Sequence, residues 1–266
     1  MEIQPSKYKL VVDTRLNENR IELMELFIKE DPKDLGVSAG KAAAKLIRKT
    51  IADKGSANII LATGSSQFET LKQLILEKDI DWSKVSMFHL DEYIGLPESS
   101  GASFRKYLKE RFLSQVPALK AVCLVDGEAD PIKECRRLGV LIEANPIDVA
   151  LVGIGENGHL AFNDPPADFD TKEPFIIVDL DEACRMQQFN EGWFPSVDDV
   201  PKQAISMSIS QICKSKHIIC SVPDARKAQA VKDCLEQSVS NMYPASILQT
   251  HPSCSYYLDK NSASLL

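Results

Sequence analysis

The amino-acid sequence predicts an α/β fold: a single-domain, Rossmann-like three-layer α/β/α structure with a mainly parallel sheet. Short apolar runs alternate with longer segments of helical period, which is typical of parallel strands covered by helices on both faces. No linker, repeat or low-complexity segment divides the chain, and 44% hydrophobic residues suffice for a large core. Residues 1–266 are therefore predicted to form one domain.

The predicted strands are short apolar runs bounded by polar or turn-forming residues. In chain order they are YKLVVD, ANIILA, KVSMFHLDEY, KAVCLV, IDVALVGI, QAISMSI and HIICSV.

Four helices are predicted between these strands. The first is expected to run from an N-cap at Ser38 to a stop at Gly55. Two more show apolar residues at three and four spacing, and the last begins with an acidic cap. Their sequences are QFETLKQLILEK, ASFRKYLKERFLSQ and DARKAQAVKDCLEQ.

Composition excludes several classes of function. The net charge of -7 comes from interspersed acids, and no run of Lys or Arg is long enough to follow a nucleic-acid backbone. No stretch approaches the roughly 20 apolar residues of a membrane span, and the first residues lack the apolar region of a signal peptide. The seven cysteines are odd in number and form no C-x-x-C pair, so they are interpreted as reduced, mostly buried thiols. These observations predict a cytoplasmic protein.

The first candidate site follows the strand ANIILA, where Thr63, Gly64, Ser65 and Ser66 lead into a helix. Glycine and small hydroxyl residues let backbone N–H groups approach an anion, and the free amides at a helix start favour negative charge. The segment indicates either a phosphate cradle or an ordinary serine N-cap. It lacks the lysine of a Walker loop, so it does not indicate a nucleoside triphosphate.

The second candidate site is an acidic pair, Asp91 and Glu92, at the end of an apolar strand. Adjacent residues of an extended chain point to opposite faces, so one carboxylate is expected to enter a cleft while neighbours hold the other. The carboxylate in the cleft would be a general base; the alternative is a cap or a solvated turn. Four histidines in the chain and no H-E-x-x-H pattern favour a site without a metal.

The third candidate site is VGIGENGHLAFNDPP, which contains G-x-G-x-x-G. A dinucleotide site would need a helix to start at the third glycine, and Pro165 and Pro166 come too soon for that helix. The match is therefore interpreted as accidental. What remains is His159 with Asp164 nearby, which indicates either an acid/base histidine oriented by a carboxylate or a structural loop histidine.

Two further features lie outside these motifs. Lys227 falls in the first turn of a predicted helix, where its charge opposes the helix dipole, so it is either a ligand for an anion or a solvated surface lysine. Trp193 and Phe194 lie in a long irregular segment that is either a lid or a packed loop.

Taken together, the motifs resemble the glucosamine-6-phosphate deaminase/isomerase family, which shares its fold with the 6-phosphogluconolactonases. LDEYIG and G-x-N-G-H-x-A-F-N are specific as a pair, and the Phe-Asn after GHLA is similar to the deaminase branch. The matching segments cover nearly the whole chain, in family order: LATGSSQF, FHLDEYIGL, VGIGENGHLAFNDPP, DDVPKQAISMSI, DARKAQAV and PASILQTHP.

The resemblance implies an enzyme that isomerises and deaminates an amino-sugar 6-phosphate, foremost glucosamine 6-phosphate to fructose 6-phosphate and ammonia. Asp91 would move the C2 proton to C1, and His159 would open the sugar ring, with Asp164 and Glu92 tuning or orienting the histidine. The implied phosphate ligands are Thr63, Gly64, Ser65, Ser66 and Lys227. No cofactor or metal is implied, the only partner is the small-molecule sugar phosphate, and a homo-oligomer is left open.

Three departures from the family pattern limit what it implies. Asn157 stands where some members carry Asp, and an amide cannot relay a proton. Asp164 stands where the usual residue is Glu, which reaches about 1 Å further. Arg185 is the only arginine in DEACRMQQFNEGWF, the segment that replaces the family's arginine-containing lid, and is the candidate phosphate ligand there. The alternatives are a deaminase for galactosamine 6-phosphate or a related sugar phosphate, a 6-phosphogluconolactonase, and a non-catalytic sugar-phosphate sensor.

Overall fold

The computed structural model describes residues 25–266, so the predicted strand YKLVVD at residues 8–13 lies outside the described part. Within the described residues the chain forms ten strands. They are β1 (Glu25–Lys29), β2 (Ala57–Leu61), β3 (Val85–His89), β4 (Asp91–Tyr93), β5 (Ala121–Cys123), β6 (Val149–Val152), β7 (Phe175–Asp179), β8 (Gln203–Met207), β9 (His217–Val222) and β10 (Cys254–Asp259).

Seven α-helices connect these strands in the same part of the chain. They are α1 (Pro32–Lys54), α2 (Phe68–Leu76), α3 (Phe104–Arg111), α4 (Pro131–Glu143), α5 (Glu182–Asn190), α6 (Ile209–Ile212) and α7 (Ala228–Glu236).

The main sheet has seven strands in the order β1-β10-β9-β6-β2-β3-β5, and every neighbouring pair in it is parallel. Successive side chains of a strand point to opposite sides, and the central strands β2, β3 and β6 are buried on both faces. Ile59 and Leu61 pack with α1, α2 and α3, whereas Ile60 between them packs with α4 and α7. The predicted mainly parallel sheet flanked by helices is confirmed. That residues 1–266 form one domain stays a prediction.

A second, antiparallel sheet has the order β4-β8-β7. The run QAISMSI was predicted as a strand and is one, but it belongs to this smaller sheet. The run KVSMFHLDEY divides at Leu90 into β3 of the main sheet and β4 of the small one. The two sheets therefore meet at the end of β3, next to the predicted acidic pair.

Helix α1 begins earlier than predicted. Its N-cap is Asp31, whose side chain accepts a hydrogen bond from the amide of Asp34, and Ser38 lies inside the helix. At positions 36 and 40 only glycine fits, because α2 packs so closely that a Cβ at either position would overlap its backbone or side chains. The predicted stop is confirmed: Gly55 is the C-cap, with a left-handed φ of 83°.

None of the helices between residues 25 and 266 combines the length and the apolar character needed to span a bilayer.

Candidate active site

A pocket opens at the carboxyl ends of β2, β3, β6 and β9, which are neighbours in the main sheet. The connection from β2 leads to β3 on one side, whereas β6 lies on its other side, so the pocket is at the place where the strand order reverses. Ligands of open α/β sheets bind at such positions. Its polar lining residues are Thr63, Ser65, Ser66, Asp91, His159, Gln187, Gln188, Glu191 and Lys227.

The segment after β2 forms a tight loop that opens a helix. Gly64 has a left-handed φ of 90°, and Ser65–Gln67 form a 3-10 turn that continues into α2. The first amides of such a turn have no acceptor within the helix. The buried side chain of Gln67 donates to the carbonyl of Val152 at 3.1 Å and fixes the loop against β6. Residues 63–66 thus form a cradle that could hold an anion, and its binding of phosphate stays a prediction.

Lys227 closes the other side of the cradle. It lies in a 3-10 turn that precedes α7 and is only 5% exposed, so the surface-lysine alternative is wrong. No carboxylate among residues 25–266 lies within ion-pair distance of its Nζ. Burial lowers the pKa of Lys227, and the nearby charges of Glu191 and Glu156 partly oppose this. A buried ammonium without a direct partner is costly, and an anionic ligand would compensate for that cost.

Asp91 lines the pocket at the start of β4 and is 6% exposed. Burial, and then the neighbouring charge of Glu92, raise the pKa of Asp91 to about 8. A carboxylate that titrates in this range is a much stronger base than an ordinary Asp.

Glu92 points away from the pocket, as the alternation along the strand predicted. Its carboxylate accepts hydrogen bonds from Ser103 Oγ at 2.9 Å and from the backbone amide of Arg105 at 2.8 Å, and its Oε2 lies 3.3 Å from Arg105 Nε. The implied role of Glu92 in orienting His159 is therefore wrong, because its oxygens are taken up by the start of α3. Glu92 instead acts on Asp91 through its charge.

His159 lies in the loop after β6, and its Nδ1 is 3.2 Å from Oδ1 of Asp164. The contact is close but not well aligned, since Nδ1 has no hydrogen-bond partner of good geometry. Asn157 joins the two residues: its Nδ2 donates to Asp164 at 3.0 Å and its Oδ1 accepts from the amide of His159 at 3.1 Å. Burial raises the pKa of Asp164, but the contact with His159 and the hydrogen bond from Asn157 outweigh it, so the net shift of the pKa is downward.

The glycines of this loop have local structural roles. Gly155 lies against the imidazole of His159, and a Cβ on Gly155 would overlap the ring. Gly158 has a left-handed φ of 83°. The loop does not continue into a helix, so the physical argument against a dinucleotide fingerprint agrees with the observed backbone.

Helix α5 covers the pocket and supplies residues that the sequence analysis did not single out: Gln187, Gln188 and Glu191. Glu191 Oε2 accepts from Ser65 Oγ at 3.3 Å and from Trp193 Nε1 at 3.3 Å, and its Oε1 accepts from Gln187 Nε2 at 2.9 Å. The polar spacing of MQQFNE on a helix was the available signal. It carries no recognisable motif, and its meaning depends on which way the helix faces.

Arg185 does not reach the pocket. Its guanidinium donates to the carbonyls of Val197 and Val200, at 2.6 and 3.3 Å, and fixes the loop that follows α5. The expectation that Arg185 binds phosphate is wrong. Trp193 and Phe194 pack into an aromatic cluster with residues such as Tyr93.

Among the described residues one group brings three metal-ligand types together: His159, Asp164 and Cys184, whose ligand atoms lie within 4.8 Å of one another. Burial and the charge of Asp164 raise the pKa of the Cys184 thiol, which opposes the thiolate that a metal would need. Asp164 already accepts from Asn157. The donors fit the orientation of His159 better than a metal, and a metal-free site stays a prediction.

The fold, together with the titratable groups at the carboxyl edge of its sheet, defines an α/β enzyme. The sequence model of the glucosamine-6-phosphate isomerases/6-phosphogluconolactonase family matches residues 30–256. The chain belongs to this family.

Relatives and solved structures agree with this assignment. The chain is similar to glucosamine-6-phosphate deaminases of Bacillus cytotoxicus, with 36% identity over 85% of this chain and 84% of the relative, and of Lactobacillus delbrueckii subsp. bulgaricus, with 37% identity over 91% and 100%. A solved monomeric glucosamine-6-phosphate deaminase superposes with a TM-score of 0.82 and 32% identity, covering 91% of this chain and 100% of that one. A 6-phosphogluconolactonase from Trypanosoma brucei shares the fold, with a TM-score of 0.72 and 21% identity over 91% and 98%.

Proposed function

We propose that the protein is an isomerising deaminase that converts glucosamine 6-phosphate to fructose 6-phosphate and ammonia. The observation that carries the proposal is that one pocket has an anion cradle with a buried, directly unpartnered Lys227 at one end and the acid/base groups Asp91 and His159 at the other. The named function of the similar deaminases supports the same reaction.

In this proposal the cradle and Lys227 bind the phosphate. The amides that open the turn at Ser65 supply hydrogen-bond donors without side-chain entropy, and the ammonium supplies charge in a largely dry site. The phosphate would restore the charged form of the lysine that burial disfavours. The sugar then extends from the cradle towards β4 and the loop after β6.

His159 opens the ring. It takes the proton from the C1 hydroxyl and delivers one to the ring oxygen, which gives the open-chain aldehyde. Asp164 holds the imidazole in place during this exchange. Asn157 replaces a carboxylate of other family members, and here it acts as a clamp that holds both Asp164 and the His159 backbone.

Asp91 performs the isomerisation. Its carboxylate removes the proton from C2, the electron pair moves towards C1 to form an enol that bears the amine on C2, and Asp91 returns the proton to C1. The product is a ketimine, and water adds to it to release ammonia and leave the C2 ketone. The C1 carbonyl accepts the electron pair, and the protonated amine acidifies the C2 hydrogen and supplies the proton that the carbonyl oxygen gains, so placed acids and bases suffice.

The test is to assay the purified protein with glucosamine 6-phosphate, galactosamine 6-phosphate and 6-phosphogluconolactone, measuring ammonia, keto-sugar phosphate and acid release. The proposal expects ammonia and fructose 6-phosphate in equal amounts from the glucosamine compound. Preference for the galactosamine compound would identify the substrate as galactosamine 6-phosphate, the C4 epimer. Acid release without ammonia would identify a lactonase, and binding without any product would identify a sensor.

The cytoplasmic location and the homo-oligomer that the sequence left open stay predictions. Sedimentation of the purified chain tests the second.

A further inference from the structure

Helix α5 lies along the pocket from the acid/base end to the phosphate end. Cys184, Gln188 and Glu191 are spaced i, i+4 and i+7 and therefore share one face. The first of them is next to Asp164, and the last is hydrogen bonded to Ser65 of the cradle. Gln188 is one turn beyond Cys184 and just under one turn before Glu191. It therefore faces the middle of the pocket.

The carboxamide of Gln188 has no hydrogen-bond partner among residues 25–266, although the residue is only 6% exposed and lines the pocket. Neither amide atom is fully enclosed by protein, so both are accessible at the pocket that the residue lines. Its dipole is therefore available to a ligand.

The adjacent Gln187 shows that this is not a general property of α5. Its Oε1 accepts from the amide of Glu156 at 2.9 Å, and its Nε2 donates to Glu191 at 2.9 Å. Both ends of that carboxamide are occupied within the protein. Of the two glutamines, only Gln188 is left for the substrate.

We propose that Gln188 is a specificity-determining residue that hydrogen bonds a hydroxyl on C3 or C4 of the sugar. The inference rests on the proposed function, which puts C1 and C2 at Asp91 and His159 and the C6 phosphate at the cradle. The hydroxyls of C3 and C4 then lie between the two ends, where Gln188 faces. A site that hydrogen bonds a hydroxyl discriminates against a substrate that lacks it or presents it in the other configuration.

The experiment pairs a change in the enzyme with a change in the ligand. Gln188→Met removes the amide but keeps an unbranched helix-forming side chain of similar length. Gln229→Met makes the same change at an exposed position of α7 and is the matched control. Each protein is tested with glucosamine 6-phosphate and with its 3-deoxy and 4-deoxy analogues, and kcat/KM is compared.

We expect Gln188→Met to lose roughly fivefold to tenfold in kcat/KM for the full substrate. With the deoxy analogue that lacks the hydroxyl bound by Gln188, the wild type and Gln188→Met should have equal kcat/KM, because the hydrogen bond is already absent. Gln229→Met should match the wild type with all three. Equal losses with all three substrates, or no loss with any, would overturn the proposal.

A binding measurement separates this proposal from the proposed function. Calorimetry with the unreactive open-chain analogue 2-amino-2-deoxyglucitol 6-phosphate reports on Gln188 without turnover, and wild-type protein should bind it more tightly than Gln188→Met. If the wild type bound the analogue but released no ammonia from an amino-sugar phosphate, the proposed function would fail while the role of Gln188 stood. If Gln188→Met did not fold, Gln188→Asn, which shortens the amide by one methylene, would be measured in its place and should show the same coupling.

Discussion

The hydroxyl of Ser65 donates a 3.3 Å hydrogen bond to Oε2 of Glu191, so a carboxylate from α5 lies at the edge of the anion cradle. Gln187 and Trp193 hold the same carboxylate at 2.9 and 3.3 Å. A negative charge at this position opposes the binding of phosphate. It also raises the pKa of Lys227, against the effect of burial.

Removing this charge is expected to tighten anion binding. Glu191→Gln keeps the shape and should lower the inhibition constant of inorganic phosphate roughly fivefold, which corresponds to about 1 kcal/mol of repulsion in a partly screened site. Glu182→Gln removes the same charge from the exposed start of α5 and should have no effect. Weaker phosphate binding by Glu191→Gln would show that the carboxylate supports the cradle instead.

Replacing the proposed base should abolish chemistry and retain binding. Asp91→Asn is expected to reduce kcat by about a hundredfold to ten-thousandfold, the usual contribution of a positioned base. The open-chain amine analogue should bind within a small factor of wild type. Because burial opposes the charged form of Asp91, the variant should also have a higher Tm than wild type at pH 9. Near wild-type turnover would assign the proton transfer to another group.

The pH profile should report the pair Asp91 and Glu92. The base must be ionised, so kcat/KM of the wild type should rise with pH through about 8, where burial and Glu92 place the pKa of Asp91. Glu92→Gln removes the negative neighbour and so lowers the pKa of Asp91. The rise in kcat/KM should therefore move to lower pH. A rise in kcat/KM that stayed at the same pH, or moved to higher pH, would exclude the electrostatic role of Glu92.

A small change at Gly155 should displace His159, the proposed acid/base group. Gly155→Ala puts a Cβ into the imidazole of His159, so the ring must leave its position beside Asp164. We expect kcat to fall by about a hundredfold, because a misplaced acid/base group loses most of its contribution. Gly139→Ala is the control, since its Cβ would meet only Pro174, at 3.7 Å. Full activity of Gly155→Ala would mean that the ring position is not critical.

Much of the fold was predictable because the main strands are contiguous aliphatic runs, as in ANIILA. The strands β1, β7 and β10 were not predicted. The last of these, CSYYLD, mixes serine, tyrosine and aspartate, yet Tyr256 is fully buried in the sheet. Its burial depends on its neighbours β1 and β9, which no local pattern reveals. The start of α1 was missed because Ser38, a favoured N-cap residue type, lies inside the helix, whose actual N-cap is Asp31.

The candidate site was predictable where chemistry follows a strand, as at Asp91 and after β6. The assignments of Glu92 and Arg185 were wrong because both rest on which partner a side chain meets across the fold. Glu92 is held by the start of α3, and Arg185 by the loop after α5. Glutamines on α5 carry no sequence signal of catalysis, so their part in the pocket emerged only from the packing of that helix.

The measurement that tests the central claim most directly follows the C2 hydrogen. Glucosamine 6-phosphate deuterated at C2 is given to the wild-type enzyme, and the fructose 6-phosphate formed is examined by nuclear magnetic resonance. One buried base that both removes and returns the proton predicts deuterium on C1 of part of the product, released together with ammonia. Fructose 6-phosphate without deuterium at C1, or no product at all, would contradict the transfer of the proton from C2 to C1 by one buried base.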